Sequence, residues 1–349
     1  MDFSLFFFAD SRTSGDDRYR LLLDSARFAD AHDFTAVWTP ERHFHPFGGL
    51  YPNAAVTGAA LAAITERLDI RAGSVVAPLH HPARIAEEWS VVDNLSQGRA
   101  GISFASGWHA TDFVLRPQNY PDRRAVMMET VETVRRLWRG DDVAFPDGAG
   151  VQRPVRIHPA PVRPELPVWI TSAGSLETFR AAGRARAGVL THLLGQDLDD
   201  LAVKIAAYRE ESAANGTGGH VVLMLHTLIG ADRDQVRELV REPMYAYLRG
   251  SIDLVVDTKG AGLPAGFDPR TLPERDKEFL IARSFDRYFS TSGLFGTVDD
   301  ATEMVRGLAR IGVDEVAGLV DFGVADDEVR RSLRLLNEVR RQSAGVAFA

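Results

Sequence analysis

Short, almost wholly apolar runs alternate with segments of helical period along this chain, and that alternation restricts the fold more than any other feature. Residues 3–9 form the first run, and 18–32 follow with Tyr19, Leu22, Leu23, Ala26 and Ala29 on one helical face. The same pairing recurs: 34–39 with 53–66, 68–77 with 82–95, and 98–105 with 122–138. After a proline-rich stretch it resumes as 166–171 with 175–186, 189–194 with 198–214, 220–229 with 233–249, and 313–322 with 326–342. Strands apolar throughout and separated by helices pair in parallel with both sheet faces covered. Eight such units predict an α/β fold, a (β/α)8 TIM barrel with insertions, in one domain spanning 1–349. A doubly wound sheet is the rival architecture. Residues 141–164, with two short β-like pieces, and 250–296, with a helical piece near 274–289, are the insertions.

Composition narrows the chemistry. The chain has no cysteine, which removes disulfides, thiolate nucleophiles, cysteine-ligated zinc, iron–sulfur clusters and thiolate haem, and permits a cytoplasmic setting. With 40 basic and 48 acidic residues, and only the lysines Lys204, Lys259 and Lys277, it lacks the cationic clusters that nucleic acid requires. No run reaches the roughly 18 apolar residues of a membrane span. The N-terminal run has Asp2 where a signal peptide carries cations and is too short to be one.

In a barrel, chemistry sits on the loops after the strands. After the second strand, Thr39-Pro40-Glu41-Arg42-His43-Phe44-His45 makes a polar island framed by aromatics. After the third, Gly73-Ser74 would let a flat ligand approach the backbone, while His80 and His81 suit orienting or packing roles; no metal-ligand spacing is present. Ser106-Gly107-Trp108-His109 with Asp112 and Phe113, after the fourth strand, suits a ring-binding wall with titratable groups beside it. Equally, Trp108 and Phe113 could simply plug the rim. After the fifth, Ser172, Gly174, Ser175 and Thr178 open a helix, a phosphate site or plain capping. Gly101-Ile102-Ser103-Phe104-Ala105 fails as a nucleophile elbow because its last glycine is missing. Dinucleotide, P-loop and H-E-x-x-H motifs are absent.

Together, Thr39-Pro40-Glu41-Arg42-His43-Phe44, Ser74-Val75-Val76-Ala77-Pro78-Leu79, Leu95-Ser96-Gln97-Gly98-Arg99, Ser106-Gly107-Trp108-His109 and Thr191-His192-Leu193-Leu194-Gly195-Gln196 resemble the bacterial luciferase-like flavin monooxygenases. They are most similar to the branch that accompanies polyketide and nonribosomal peptide assembly. The resemblance implies an enzyme that receives reduced FMN from a separate flavin reductase and forms a flavin hydroperoxide with O2. That species then hydroxylates, or inserts oxygen into, a small-molecule or carrier-protein-tethered intermediate.

It further implies that Gly73 and Ser74 lie against the flavin, often through a cis peptide, and that Gly174, Ser175 and Thr178 hold its phosphate, with Ser172, Ser106 and Trp108 also lining the cofactor. The catalytic candidates are Glu41, His43, His109 and Asp112. Arg42 and Ser106 depart from luciferase, which has histidine and arginine there. Phe44, Phe47, Trp108, Phe113 and a lid from 250–296 would exclude water. Family habit implies a homodimer through the second and third helices, where 54–63 is small and apolar, although that face could equally pack inside the barrel shell. An F420-dependent oxidoreductase and a non-catalytic flavin-binding subunit stay open as alternatives.

Overall fold

The computed structural model describes residues 1–11, 17–257 and 273–344. Strand β1 (Asp2–Phe6) is followed by α1 (Arg20–Ala31), β2 (Ala36–Thr39) and α2 (Ala54–Ala62). Next come β3 (Asp69–Val76), α3 (Pro82–Ser96), β4 (Ala100–Ala105) and α4 (Arg123–Trp138). A hairpin, β5 (Val143–Pro146) with β6 (Gln152–Val155), interrupts the alternation. Then follow β7 (Val168–Ser172), α5 (Leu176–Arg184), β8 (Gly188–His192), α6 (Leu198–Ala214), β9 (Val221–Ile229) and α7 (Arg233–Asp257). The described chain ends with α8 (Glu274–Arg287), β10 (Leu294–Gly296), α9 (Val298–Arg310), β11 (Glu315–Leu319) and α10 (Asp326–Ala344).

Eight strands pair in parallel in the order β1-β2-β3-β4-β7-β8-β9-β11, and β11 returns to β1, so the sheet closes into a (β/α)8 barrel. The doubly wound alternative is excluded by that closure. All nine residues of β9 are buried, as expected of a strand covered on both faces. The hairpin confirms the two β-like pieces read in 141–164.

The second insertion is corrected in two places: helix α7 continues past Arg249 to Asp257, and β10 pairs in parallel alongside the end of β9. Beyond it, α9 occupies a stretch to which no element was assigned. Helix α9 was legible: Thr297 and Asp300 form a capping box, and Ala301, Thr302, Val305 and Leu308 make its buried stripe. The lid expected from 250–296 falls partly on residues 258–272, outside the described residues.

Charge lies inside the barrel. Arg71 on β3 donates to Glu315 of β11 at 2.8 Å and to Asp69 at 2.9 Å, while the indoles of Trp38 and Trp169 flank its guanidinium at 5.0 and 4.6 Å. Ser4 Oγ and Trp38 Nε1 donate to the other Glu315 oxygen at 2.5 and 3.0 Å. Burial would raise the Glu315 carboxyl, but Arg71 and His220 and these hydrogen bonds hold it below its ordinary value. Removing one partner of such a pair strands a buried charge. Arg71→Met is expected to lower unfolding free energy by about 3–5 kcal/mol in a urea titration, and adding Glu315→Gln to recover part of it.

Candidate active site

The polar loops expected to carry chemistry leave one rim, the C-terminal ends of β2, β3, β4, β7 and β8. Glu41, just past β2, is buried, and one of its carboxylate oxygens accepts from His43 Nε2 at 2.7 Å and His80 Nε2 at 2.5 Å. The other accepts from the Val76 N–H at 2.7 Å, at the end of β3. Burial acts to raise Glu41, yet the two imidazoles and the backbone donor outweigh it, and its carboxyl sits below the ordinary value. For His80, burial acts downward but Glu41 prevails, so the imidazole is raised above 6.5. His80 thus orients Glu41, a role the sequence reading had allowed it, whereas His81 caps α3.

A second buried chain runs beside it. Arg42 Nη1 donates to Asp112 Oδ2 at 2.5 Å, and His109 Nδ1 lies 3.3 Å from Asp112 Oδ1. Trp108 covers the Arg42 guanidinium at 5.5 Å and is itself half exposed. The structure therefore joins Glu41 with His43, and His109 with Asp112, in two separate networks.

The Gly73–Ser74 peptide is cis, as the resemblance implied. The Gly73 position has a packing reason as well: a Cβ there would meet the Phe6 ring at 2.6 Å and Trp38 Cβ at 3.2 Å. Ser74 Oγ bonds Thr171 Oγ1, which bonds Ser103 Oγ at 2.7 Å, making a hydroxyl line across β3, β7 and β4. Ser103, rejected as a nucleophile, has this place instead.

At the end of β7, Ser172 Oγ accepts from Gly174 N–H at 3.3 Å, and Ser175 caps α5 by accepting from Thr178 N–H at 3.3 Å. Gly174 has φ +123°, and a Cβ there would come within 3.3 Å of Gln196 Oε1 and 3.5 Å of Lys204 Nζ. Lys204 donates to Gln196 at 2.8 Å. The sequence reading missed Lys204: it lies on α6, and no local spacing joins it to a loop some 30 residues earlier. Among the other candidates, Ser106 follows β4 on the same rim.

The other sector of the mouth is aromatic. Phe47 meets Phe8 at 5.1 Å and Tyr247 at 4.7 Å, and His226 lies against Tyr247, Tyr288 and Phe322 at 4.3–5.3 Å. Burial there pushes His226 down to about 3, so it is neutral. Of the expected seal, Phe47 and Phe113 are buried, Phe113 against Val76 and Leu79, but Phe44 is 61% exposed and seals nothing. A cavity of about 580 Å³ opens between the starts of α1 and α10, lined by Phe7, Tyr51, Asp321 and Arg330 among others. It lies in the β1–β11 sector, and neither Glu41 nor Ser74 lines it. Asp321, absent from the candidates, accepts from Phe8 N–H at 2.6 Å and Tyr51 Oη at 2.8 Å. Burial nevertheless pushes its carboxyl up to about 7.

A closed parallel barrel with its polar loops gathered on one rim is an enzyme architecture. The luciferase-like monooxygenase family model matches residues 1–315, and the chain belongs to that family. It is 23% identical over 338 residues to the oxygenase component of a flavin-dependent trigonelline monooxygenase from Acinetobacter baylyi, covering 92% of this chain and 89% of that one. It is 26% identical over 332 residues to an F420-dependent glucose-6-phosphate dehydrogenase from Rhodococcus erythropolis, covering 90% and 91%. Monooxygenase RslO1 from Streptomyces bottropensis superposes with a TM-score of 0.82 at 23% identity, over 99% of this chain and 100% of that one. The oxygenating constituent of 3,6-diketocamphane monooxygenase from Pseudomonas putida, in complex with FMN, superposes with a TM-score of 0.75 at 18% identity, over 97% of both.

Two pH dependences follow. His80 is raised in the folded state, so its stabilisation is present in full below pH 6.5 and is lost as pH rises through the raised value. His80→Gln should therefore be less stable than the parent by about 1–2 kcal/mol at pH 5.5, with the gap closing in alkaline buffer, read by urea unfolding. Asp321 is also raised, so native stability falls between its ordinary 3.8 and about 7. Asp321→Asn should flatten that fall in a melting-temperature series.

Proposed function

We propose that this protein is an FMN-dependent monooxygenase of a biosynthetic pathway: it takes reduced FMN from a separate flavin reductase, uses O2, and hydroxylates or inserts oxygen into a natural-product intermediate, free or tethered to a carrier protein. One observation carries the proposal most directly: the start of α5, the glycine at position 174 and the Lys204 ammonium converge beside the hydroxyl line at the cis Gly73–Ser74 peptide. A helix start leaves backbone N–H groups free, and its dipole favours an anion. With Lys204 and Ser175 beside it, this corner fits the FMN phosphate, while Gly73 and Ser74 at the end of β3 fit the flavin ring.

Bound reduced FMN supplies the electrons that activate dioxygen. The chain supplies the rest. Glu41 holds the rings of His43 and His80 in fixed tautomers, because each donates Nε2–H to the same carboxylate oxygen. That leaves His43 to hold or move a proton at the rim through its other nitrogen. Asp112 orients His109 in the same way from β4's loop. Phe8, Phe47, Tyr247 and Phe322 exclude water from the opposite sector.

The homodimer through the second and third helices belongs to the same proposal. Helix α2 turns Ala54, Ala55, Thr57, Gly58, Leu61 and Ala62 inward, so 54–63 is mostly shell packing. The outward Val56 of α2, with Val91 and Leu95 of α3, is the apolar surface that a second copy would cover. A cytoplasmic setting suits a reductase partner; no helix among the described residues is long and apolar enough to cross a membrane.

The F420 reading is supported by the R. erythropolis relative and is separated by binding. The purified chain should bind FMN in a fluorescence titration more tightly than F420, and tighter F420 binding would sink the proposal. Lys204→Ala should weaken FMN about tenfold while leaving riboflavin, which lacks the phosphate, unchanged. With a flavin reductase, O2 and a panel of candidate intermediates, His43→Ala and His109→Ala should each cut oxygenated product by about a hundredfold with FMN binding retained.

A further inference from the structure

Arg42 has more hydrogen-bonding capacity than the protein around it uses. Its side chain is 4% exposed at the end of β2, and Nη1 is spent on Asp112. Nε and Nη2 are buried and meet no acceptor among the described residues. These two atoms share one edge: in a planar guanidinium the Nε–H and one Nη2–H point the same way, as parallel donors. Trp108 lies over the guanidinium face, so a partner reaches this edge in the plane of the group. Buried donors are costly to leave unmatched, and native structures match nearly all of them. The sequence placed Arg42 in the polar island after β2 and as a departure from luciferase; the Glu41 and Asp112 networks use neither of these donors.

Charge decides what the edge accepts. Asp112 already balances the Arg42 cation, and His109 is that carboxylate's other neighbour. A substrate carboxylate would place a second anion close to Asp112 in a water-poor site, where repulsion is strong. A carbonyl oxygen adds no charge and offers two lone pairs to two parallel N–H groups. The adjoining sector of the mouth is aromatic, which suits a largely apolar skeleton.

We propose that the Nε–Nη2 edge of Arg42 binds a ketone-type carbonyl oxygen of the substrate and so sets which carbon faces the flavin. The proposal rests on the oxygenase reading and deepens it by naming the substrate class, an apolar ketone. Asp112 is the positioning residue that holds the guanidinium, and its other oxygen meets His109. Trp108, half exposed, keeps the guanidinium face covered, so the carbonyl meets the edge in plane.

The test uses the full chain with FMN present and acetonaphthone isotopically labelled at its carbonyl carbon. Difference infrared spectroscopy should show the bound carbonyl stretch moved to lower frequency than in hydrocarbon solvent. Calorimetry should show acetonaphthone bound about tenfold or more tightly than ethylnaphthalene, and more tightly than naphthoate. In the charge-balanced variant Arg42→Met/Asp112→Asn both the shift and the ketone preference should vanish, with the affinity for FMN unchanged. Arg42→Lys should restore part of the shift. The proposal is overturned if the parent shows no ketone preference, if it prefers naphthoate, if the shift survives in the double variant, or if the double variant loses FMN instead. A separate FMN titration of the parent reports on the flavin reading alone: a carbonyl shift and ketone preference in a chain that binds no FMN would uphold the carbonyl site and refute the cofactor.

Discussion

The Arg71–Glu315 pair is the constraint on which the barrel's closure turns. It ties β3 to β11 across the interior, and β11 is the strand that completes the circle between β9 and β1. Two charges taken from water repay their desolvation only where geometry is tight and remaining lone pairs are met. Here Ser4, Trp38 and Asp69 meet all but Arg71 Nε, which has no partner among the described residues, and two indoles sandwich the guanidinium. Residues from β1, β2, β3, β7 and β11 thus depend on one buried cluster. A wrong strand order would strand a buried charge.

With the strands closed, the mouth divides into two chemistries. One sector, over β3, β4, β7 and β8, is lined by hydroxyls, small residues, a helix start and Lys204. The other, over β1, β9 and β11, is a wall of rings in which His226 is stripped of charge. Glu41 with its two imidazoles and Arg42 with Asp112 stand on the boundary between them. On the proposed function, cofactor and substrate would meet at that boundary. Burial does the electrostatic tuning: it lowers His226, raises Asp321, and makes each Glu41 hydrogen bond count for more than it would in water.

The barrel itself was legible because a parallel strand with both faces covered has to be apolar along its length, and such runs stand out against helical periods. The rim motifs were legible for a related reason: small residues, Trp108, His43 and His109 interrupt that pattern at strand ends. Helix α9 went unread although its capping box and apolar stripe are local signals. It followed a proline- and glycine-rich stretch that was treated as one insertion. Phe44 was read as a seal from its type alone, and its backbone, at φ +54°, leaves the ring in solvent.

Local order, strand by strand, was thus determined by the sequence on its own, since hydrophobic period and capping act within a few residues. Partnerships were decided only in three dimensions. Nothing in the spacing joins Lys204 to Gly174, Arg71 to Glu315, Ser74 to Thr171, or Asp321 to Tyr51 and Phe8. Those contacts arise because closing the sheet brings strand ends from distant parts of the chain onto one rim, where burial then sets how strongly each charge and donor acts.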